Sequence, residues 1–275
     1  MKKLLLTAVF AAAAFGGAFS AVAQPTTPRK VAVQTYTFRL FTLEETAEKL
    51  KDLGLDGIEC YPGQLVSKSL PNVKMNPSMT PEQRQFVKDL LKKNNLKIVS
   101  FGVTSPKTAE EIEATCKFAK DMGIQRIITE SPAESFPLWE KFCKENGVIM
   151  CIHHHARDSK NKYWDPQVLL SSIKGYDYIK ASPDIGHWSR SNIKPIDGLQ
   201  ALKGNMRSMH FKDQKEFGNP KNQCVPLGEG QLDIKSVLAE LDAQGYDGFF
   251  VIEYEADWED NLPAVKKCVA YLRSN

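Results

Sequence analysis

From residue 31 to the C-terminus the chain repeats one pattern: a short run of β-branched and apolar residues, then a longer stretch whose apolar positions recur at helical spacing. The short runs fall at residues 31–37, 57–60, 97–103, 126–130, 148–155, 178–184, 206–212 and 249–255. The stretches after them carry helix-start signals. Thr42 with Glu45, Thr80 with Gln83 and Thr108 with Glu111 each place a hydroxyl three residues before an acid or amide, the spacing of a capping box. Pro81 follows Thr80 at the first helical position. Further helices are predicted over 137–147, 165–174, 195–203, 234–244 and 262–272.

Strand–helix alternation at this spacing implies parallel strands joined by right-handed crossovers. Eight such units in one domain favour a sheet closed on itself over an open one. No GxGxxG follows the first strand, so a dinucleotide-binding sheet lacks its fingerprint. The fold expected is α/β, a single (β/α)8 TIM barrel.

The first residues stand outside the repeat. Lys2 and Lys3 precede an apolar run over 4–19, and Ala21-Val22-Ala23 is a small-x-small site of the kind a signal peptidase cuts. Residues 1–23 therefore read as a signal peptide and 24–275 as the barrel, a periplasmic or secreted protein. Removing 23 of 275 residues leaves 252, a usual length for this barrel. No second long apolar run follows, so no membrane association is expected after cleavage. Thirty-six basic and 33 acidic residues give +3, and loss of Lys2 and Lys3 leaves +1. That balance gives no electrostatic case for nucleic acid. The six cysteines are scattered without a CxxC pair and read as small buried hydrophobes.

In such a barrel the chemistry sits at the C-terminal ends of the strands. All five histidines, His153, His154, His155, His187 and His210, lie at or just beyond the ends of the fifth, sixth and seventh predicted strands. Acids end the fourth (Glu130), sixth (Asp184) and eighth (Glu253). Residues two apart share a strand face, so His153 and His155 point together, as do His210 and Lys212, and Glu253 and Glu255; His154 points to the helices. Imidazoles and carboxylates converging on one mouth require a cation or shared protons. Mixed N/O ligands suit one divalent ion, Mn2+, Zn2+ or Co2+, which would stabilise an enediolate.

Other residues leave alternatives open. Glu59 ends the second strand and could equally hold a loop. Trp164, Trp188 and Trp258 fall in predicted loops after the fifth, sixth and eighth strands, for stacking on a sugar or for packing. Lys180 and Lys212 could contact oxyanions. Gly228-Glu229-Gly230 reads as a turn, and weakly as a phosphate loop.

The stretches VIMCIHHH (148–155), PDIGHW (183–188), MHFKD (209–213), LGEGQL (227–232) and YDGFFVIEY (246–254) resemble, in order, the xylose isomerase-like barrels of the sugar phosphate isomerase/epimerase superfamily. The resemblance covers about the last half of the chain. It implies a metal held by an acid on the fifth strand and by Asp184, His210 and Glu253. Where relatives carry E-x-H, this chain has His153-His154-His155, so His153 takes the fourth ligand position. Such relatives use two carboxylates as acid and base; here the base would come from Glu130, His155 or His187, with Lys212 beside them.

The resemblance thus implies an isomerase or epimerase that removes a proton next to the carbonyl of an unphosphorylated sugar. A keto-glycoside lyase or hydratase on the same scaffold is the alternative, and a non-catalytic carbohydrate-binding barrel another. A phosphodiesterase of the endonuclease IV type would need three zinc ions, and no histidine follows His210. The partner expected is a small sugar; a homo-oligomer is compatible with the sequence.

Overall fold

Why the pattern closes into a ring is visible in the strand pairing. The computed structural model describes residues 28–158 and 162–275; the segment read as a signal peptide lies outside them. Its barrel strands are β1 (Lys30–Gln34), β2 (Gly57–Cys60), β3 (Ile98–Thr104), β4 (Arg126–Thr129), β5 (Ile149–Ile152), β6 (Ile179–Ala181), β7 (Ser208–Phe211) and β8 (Phe249–Ile252). All pair in parallel, in the order 6-5-4-3-2-1-8-7. Two single bridges, Ala181 with Met206 and Asp184 with His210, bring the two ends of that order together.

The helices begin where the caps place them. Helices α1 (Leu43–Leu50), α2 (Pro81–Lys93) and α3 (Ala109–Asp121) each start on a complete capping box, from Thr42, Thr80 and Thr108. Helix α4 (Phe136–Asn146) stops on Gly147 at φ 67°, the left-handed geometry a C-terminal glycine allows. Then come α5 (Pro166–Ile173), α6 (Ile185–Arg190), α7 (Pro195–Ala201), α8 (Ile234–Ala243) and α9 (Leu262–Ser274).

Three differences from the sequence pattern have physical causes. The ladders of β5 and β6 end at Ile152 and Ala181, three residues short of the predicted ends, because the chain stays extended past its last rung. Helix α6 is six residues long, too short to show a helical period. Two antiparallel ribbons were not read from the pattern: Leu65–Ser67 with Leu70–Lys74, and Asp213–Gln214 with Cys224–Val225.

The main core lies between the sheet and the helices. A second small cluster, Ala32, Val99, Phe249 and Val251, is separate from it. Two residues beyond Ala32 and Val251 stand Gln34 and Glu253, on the same strand faces. An apolar layer thus gives way to a polar one as the chain nears the strand ends.

Candidate metal centre

Four strand ends deliver four ligand atoms to one place. His153 follows β5, Asp184 follows β6, His210 lies within β7 and Glu253 follows β8. All four are buried, and one donor atom from each lies within 4.8 Å of the others. His210 Nδ1 is 2.9 Å from Glu253 Oε2 and 3.7 Å from Asp184 Oδ2, and His153 Nε2 is 3.8 Å from the same Asp184 oxygen. Donors bonded to one ion at about 2.0–2.2 Å have separations of this order.

The outer atoms of the two imidazoles decide which nitrogens face inward. His153 Nδ1 lies 2.8 Å from Glu130 Oε1, and His210 Nε2 lies 2.7 Å from Glu59 Oε1. A carboxylate accepts from an imidazole N–H, so Glu130 favours the proton of His153 on Nδ1, while His210 lies between two carboxylates, Glu59 against Nε2 and Glu253 against Nδ1. His153 Nε2 and His210 Nδ1 are the nitrogens that face inward, with a carboxylate on each outer nitrogen, the arrangement that orients metal-ligating histidines. Glu59 is itself held by Gln34 Nε2 at 2.7 Å and by the Ser100 hydroxyl.

His153 Nε2 is among the buried side-chain atoms with no hydrogen-bond partner in the described residues, and Asp184 Oδ2, which also lacks a hydrogen bond, has the Lys212 ammonium at 3.3 Å. A buried acceptor without a partner costs free energy unless something charged or donating completes it. Together with two further donors at the same point, they fit a divalent ion.

Electrostatics shows the same demand for positive charge. Burial would push the His210 imidazole down, but Glu59 and Glu253 on its two sides hold it well above its usual value. Asp184 and Glu253 are held well below the carboxylate range despite burial, by Lys212 and the neighbouring imidazoles. Lys212, fully enclosed, stays charged because Asp184 (3.3 Å), Glu253 (2.9 Å) and Glu255 (2.9 Å) surround its Nζ.

The remaining candidate residues ring this centre. Glu130 Oε1 lies 2.6 Å from His155 Nδ1 as well as against His153, which keeps it ionised despite burial. The His155 side chain is 58% exposed at the rim, and its ring centre lies 4.9 Å from that of His187. His187 is buried and pushed well below its usual value, so it is neutral near neutral pH; its Nε2 is 3.5 Å from Lys212 Nζ.

The PDIGHW stretch now has a steric explanation. Asp184 caps α6, with its Oδ1 accepting from His187 N–H at 2.9 Å, which turns Oδ2 toward the centre. A Cβ on Gly186 would lie 2.8 Å from both the Lys212 Cβ and its carbonyl oxygen, so only glycine lets α6 sit this close to β7.

Sequence reading placed several of these side chains and misplaced others. His154 does face outward: its ring stacks on Trp188, and its Nε2 accepts the Asp184 N–H at 3.1 Å. Trp188 is not in a loop but fully buried in α6, so it packs and cannot meet a ligand. Trp164 lies under Arg157, and Trp258 packs with Tyr36 and Arg39. Lys180 sits four residues before Asp184, toward the other end of the strand, and donates to Tyr176 O; it is no oxyanion contact of this centre. The N–H groups of Gly228, Gly230 and Leu232 are taken by the Asp213 carboxylate, which ends the phosphate-loop reading. Glu59 does more than hold a loop, and no local signal in β2 could have shown its partner 151 residues away.

Comparison with known proteins agrees with the fold. Residues 47–275 match the family described as xylose isomerase-like TIM barrel. Inosose dehydratase of Geobacillus thermodenitrificans is 25% identical, over 64% of this chain and 75% of that protein. L-ribulose-5-phosphate 3-epimerase UlaE of Salmonella paratyphi C is 39% identical over 82 residues, so the match spans only 28% of that relative and 30% of this chain. Among solved structures, an uncharacterised protein of Parabacteroides distasonis superposes with a TM-score of 0.73 at 26% identity, covering 90% of this chain and 98% of that one. The 3-keto-D-glucoside 4-epimerase YcjR of E. coli shares the fold, with a TM-score of 0.66 at 16% identity over 90% of this chain and 100% of that one.

Proposed function

We propose, for a chain that belongs to the xylose isomerase-like TIM barrel family, that it removes a proton next to the carbonyl of an unphosphorylated sugar or glycoside at a single divalent ion. The protein is an enzyme of the isomerase, epimerase or lyase kind acting on carbohydrates, as its relatives are. The observation that carries the metal reading is the convergence of four buried donor atoms, one each from His153, Asp184, His210 and Glu253, within 4.8 Å of one another, with His153 Nε2 left without a hydrogen-bond partner.

His153, Asp184, His210 and Glu253 would hold the ion, and Mn2+, Zn2+ or Co2+ each suits two nitrogens and two carboxylate oxygens. Such an ion would supply a Lewis acid that makes the proton beside a sugar carbonyl easier to remove. Lys212 contributes a fixed ammonium beside that centre, which favours negative charge growing on a substrate oxygen. His155, with Nδ1 held by Glu130, keeps Nε2 as the nitrogen that takes the proton in the role of general base. His187, neutral and close to His155, is positioned to pass or return it.

His153 favours one sub-reading. It stands where relatives that epimerise ketoses carry the glutamate of a two-carboxylate acid–base pair. With an imidazole there, backed by Glu130, the acid–base work shifts to His155 and His187 on one side of the mouth. Elimination or hydration of a keto-glycoside needs proton removal from one face and is compatible with that arrangement. Residues 1–23, as a signal peptide, would place the protein in the periplasm or outside the cell, away from sugar phosphates.

The test is metal content followed by proton exchange. Purified protein should retain about one ion per chain, and solvent deuterium should enter a keto-sugar only with the ion present. A protein that retains no ion and exchanges no proton on any keto-sugar or keto-glycoside would end the reading.

A further inference from the structure

One layer above the polar ring lies a group of aromatic side chains that the proton-transfer site does not use. Tyr36 lies in a 3-10 turn, Thr35–Phe38, directly after β1, and Tyr61 follows directly after β2, so both stand beyond the C-terminal strand ends, on the side of the barrel where the metal centre lies. Their rings meet edge to face at 5.3 Å, and Tyr36 meets Trp258, in the loop after β8, at 6.0 Å. The Arg39 guanidinium lies 3.7 Å from the Trp258 ring centre and donates to the Tyr36 hydroxyl at 2.8 Å.

This wall is braced from below. Thr37 accepts from Tyr254 N–H at 3.0 Å and from the Asn261 side chain, which ties the β8 loop to the β1 loop. Tyr61 N–H donates to Thr35 Oγ1. Yet Tyr36, Tyr61 and Trp258 remain half-buried and Arg39 exposed. Leu40, next in the chain, is 58% exposed, the most open large apolar side chain among the described residues.

We infer that Tyr36, Arg39, Tyr61 and Trp258 form a subsite for a second ring, so that the substrate is a glycoside with a ring-shaped aglycone, most simply a disaccharide. The inference rests on the proton-transfer reading of the adjacent centre. Braced aromatic surface suits the C–H faces of a pyranose, and a guanidinium that spends one N–H on Tyr36 keeps others for ring hydroxyls. A single free sugar seated at the metal centre would leave this wall uncovered.

The experiment compares a methyl keto-glucoside with a keto-disaccharide on the metal-loaded enzyme. In the wild type, kcat/KM should favour the disaccharide about tenfold, the scale of one or two aromatic contacts. Trp258→Ala should erase most of that preference, and Trp258→Phe should keep most of it. Equal kcat/KM for the two substrates in the wild type, or an equal proportional loss on both in Trp258→Ala, would overturn the subsite. If no keto-sugar turns over, fluorescence titration with unoxidised disaccharide and with glucose separates the two ideas. Disaccharide binding lost in Trp258→Ala keeps the subsite while the reaction falls; no disaccharide binding removes the subsite.

Discussion

His210 and Glu59, both fully buried, meet through Nε2 and Oε1 at 2.7 Å across the barrel mouth, one from β7 and the other from β2. The contact orients the His210 ring so that Nδ1 faces Asp184 and Glu253. A carboxylate in that place raises the basicity of a ligating imidazole and locks its rotation. Glu59→Gln keeps the shape and removes the charge. We expect it to weaken divalent-ion binding by about 10–100-fold without deleting any ligand. Chelator competition measures this, and unchanged affinity would show that Glu59 is only packing.

The inward donors should behave as a unit. Glu253→Gln and His210→Ala are each expected to cost the bound ion and to lower deuterium exchange by at least about a hundredfold. Metal analysis after gel filtration and circular dichroism check loss of the ion with the fold retained. Full exchange in both variants would remove the metal-assisted mechanism.

His155 differs from the ligands in being exposed and bonded outward to Glu130. His155→Gln should therefore retain the ion while exchange falls about 10²–10⁴-fold, the usual loss for a missing general base. Glu130→Gln, which touches both His155 and His153, should reduce exchange and ion affinity together. Loss of the ion in His155→Gln would place that residue among the ligands instead.

His154 carries a stability prediction. Burial pushes its imidazole down to about 3, whereas in an unfolded chain it titrates near about 6.5. The unfolded state thus binds a proton below pH 6.5 that the folded state refuses, so stability falls as pH drops from there toward 3. The limiting slope for one such group is about 1.4 kcal/mol per pH unit. His154→Gln keeps a side-chain acceptor for the Asp184 N–H and should flatten the slope by up to that amount between pH 4 and 6. Denaturant unfolding of ion-stripped protein measures it; parallel slopes for the two proteins would refute the assignment.

Gly186 packs against Lys212, and Gly186→Ala forces the two elements apart. Overpacking of this kind costs about 1–3 kcal/mol. A lower melting temperature together with slower exchange is expected, since Lys212 is displaced from its carboxylates. A neutral effect on both would mean that α6 shifts without strain.

The alternation of strand and helix and the three capping boxes were legible because each is written in residues three or four apart, or two apart along a strand. So was the shared direction of His153 and His155, and the outward direction of His154. Boundaries failed where the chain stays extended after its last ladder partner, as at 153–155, and where α6 is too short for a period. Trp188 was misplaced for that reason.

What sequence alone determined is which residues face the barrel interior near its mouth, since strand geometry alternates side chains irrespective of partners. Which of them touch was decided by closure of the ring, which brings β2 beside the chemistry of β7 and sets the β1, β2 and β8 loops side by side. Glu59 with His210, Glu130 between two imidazoles, and Tyr36 with Trp258 are contacts across the sheet. Their geometry depends on barrel curvature and register, properties of the whole fold that no local stretch of residues encodes.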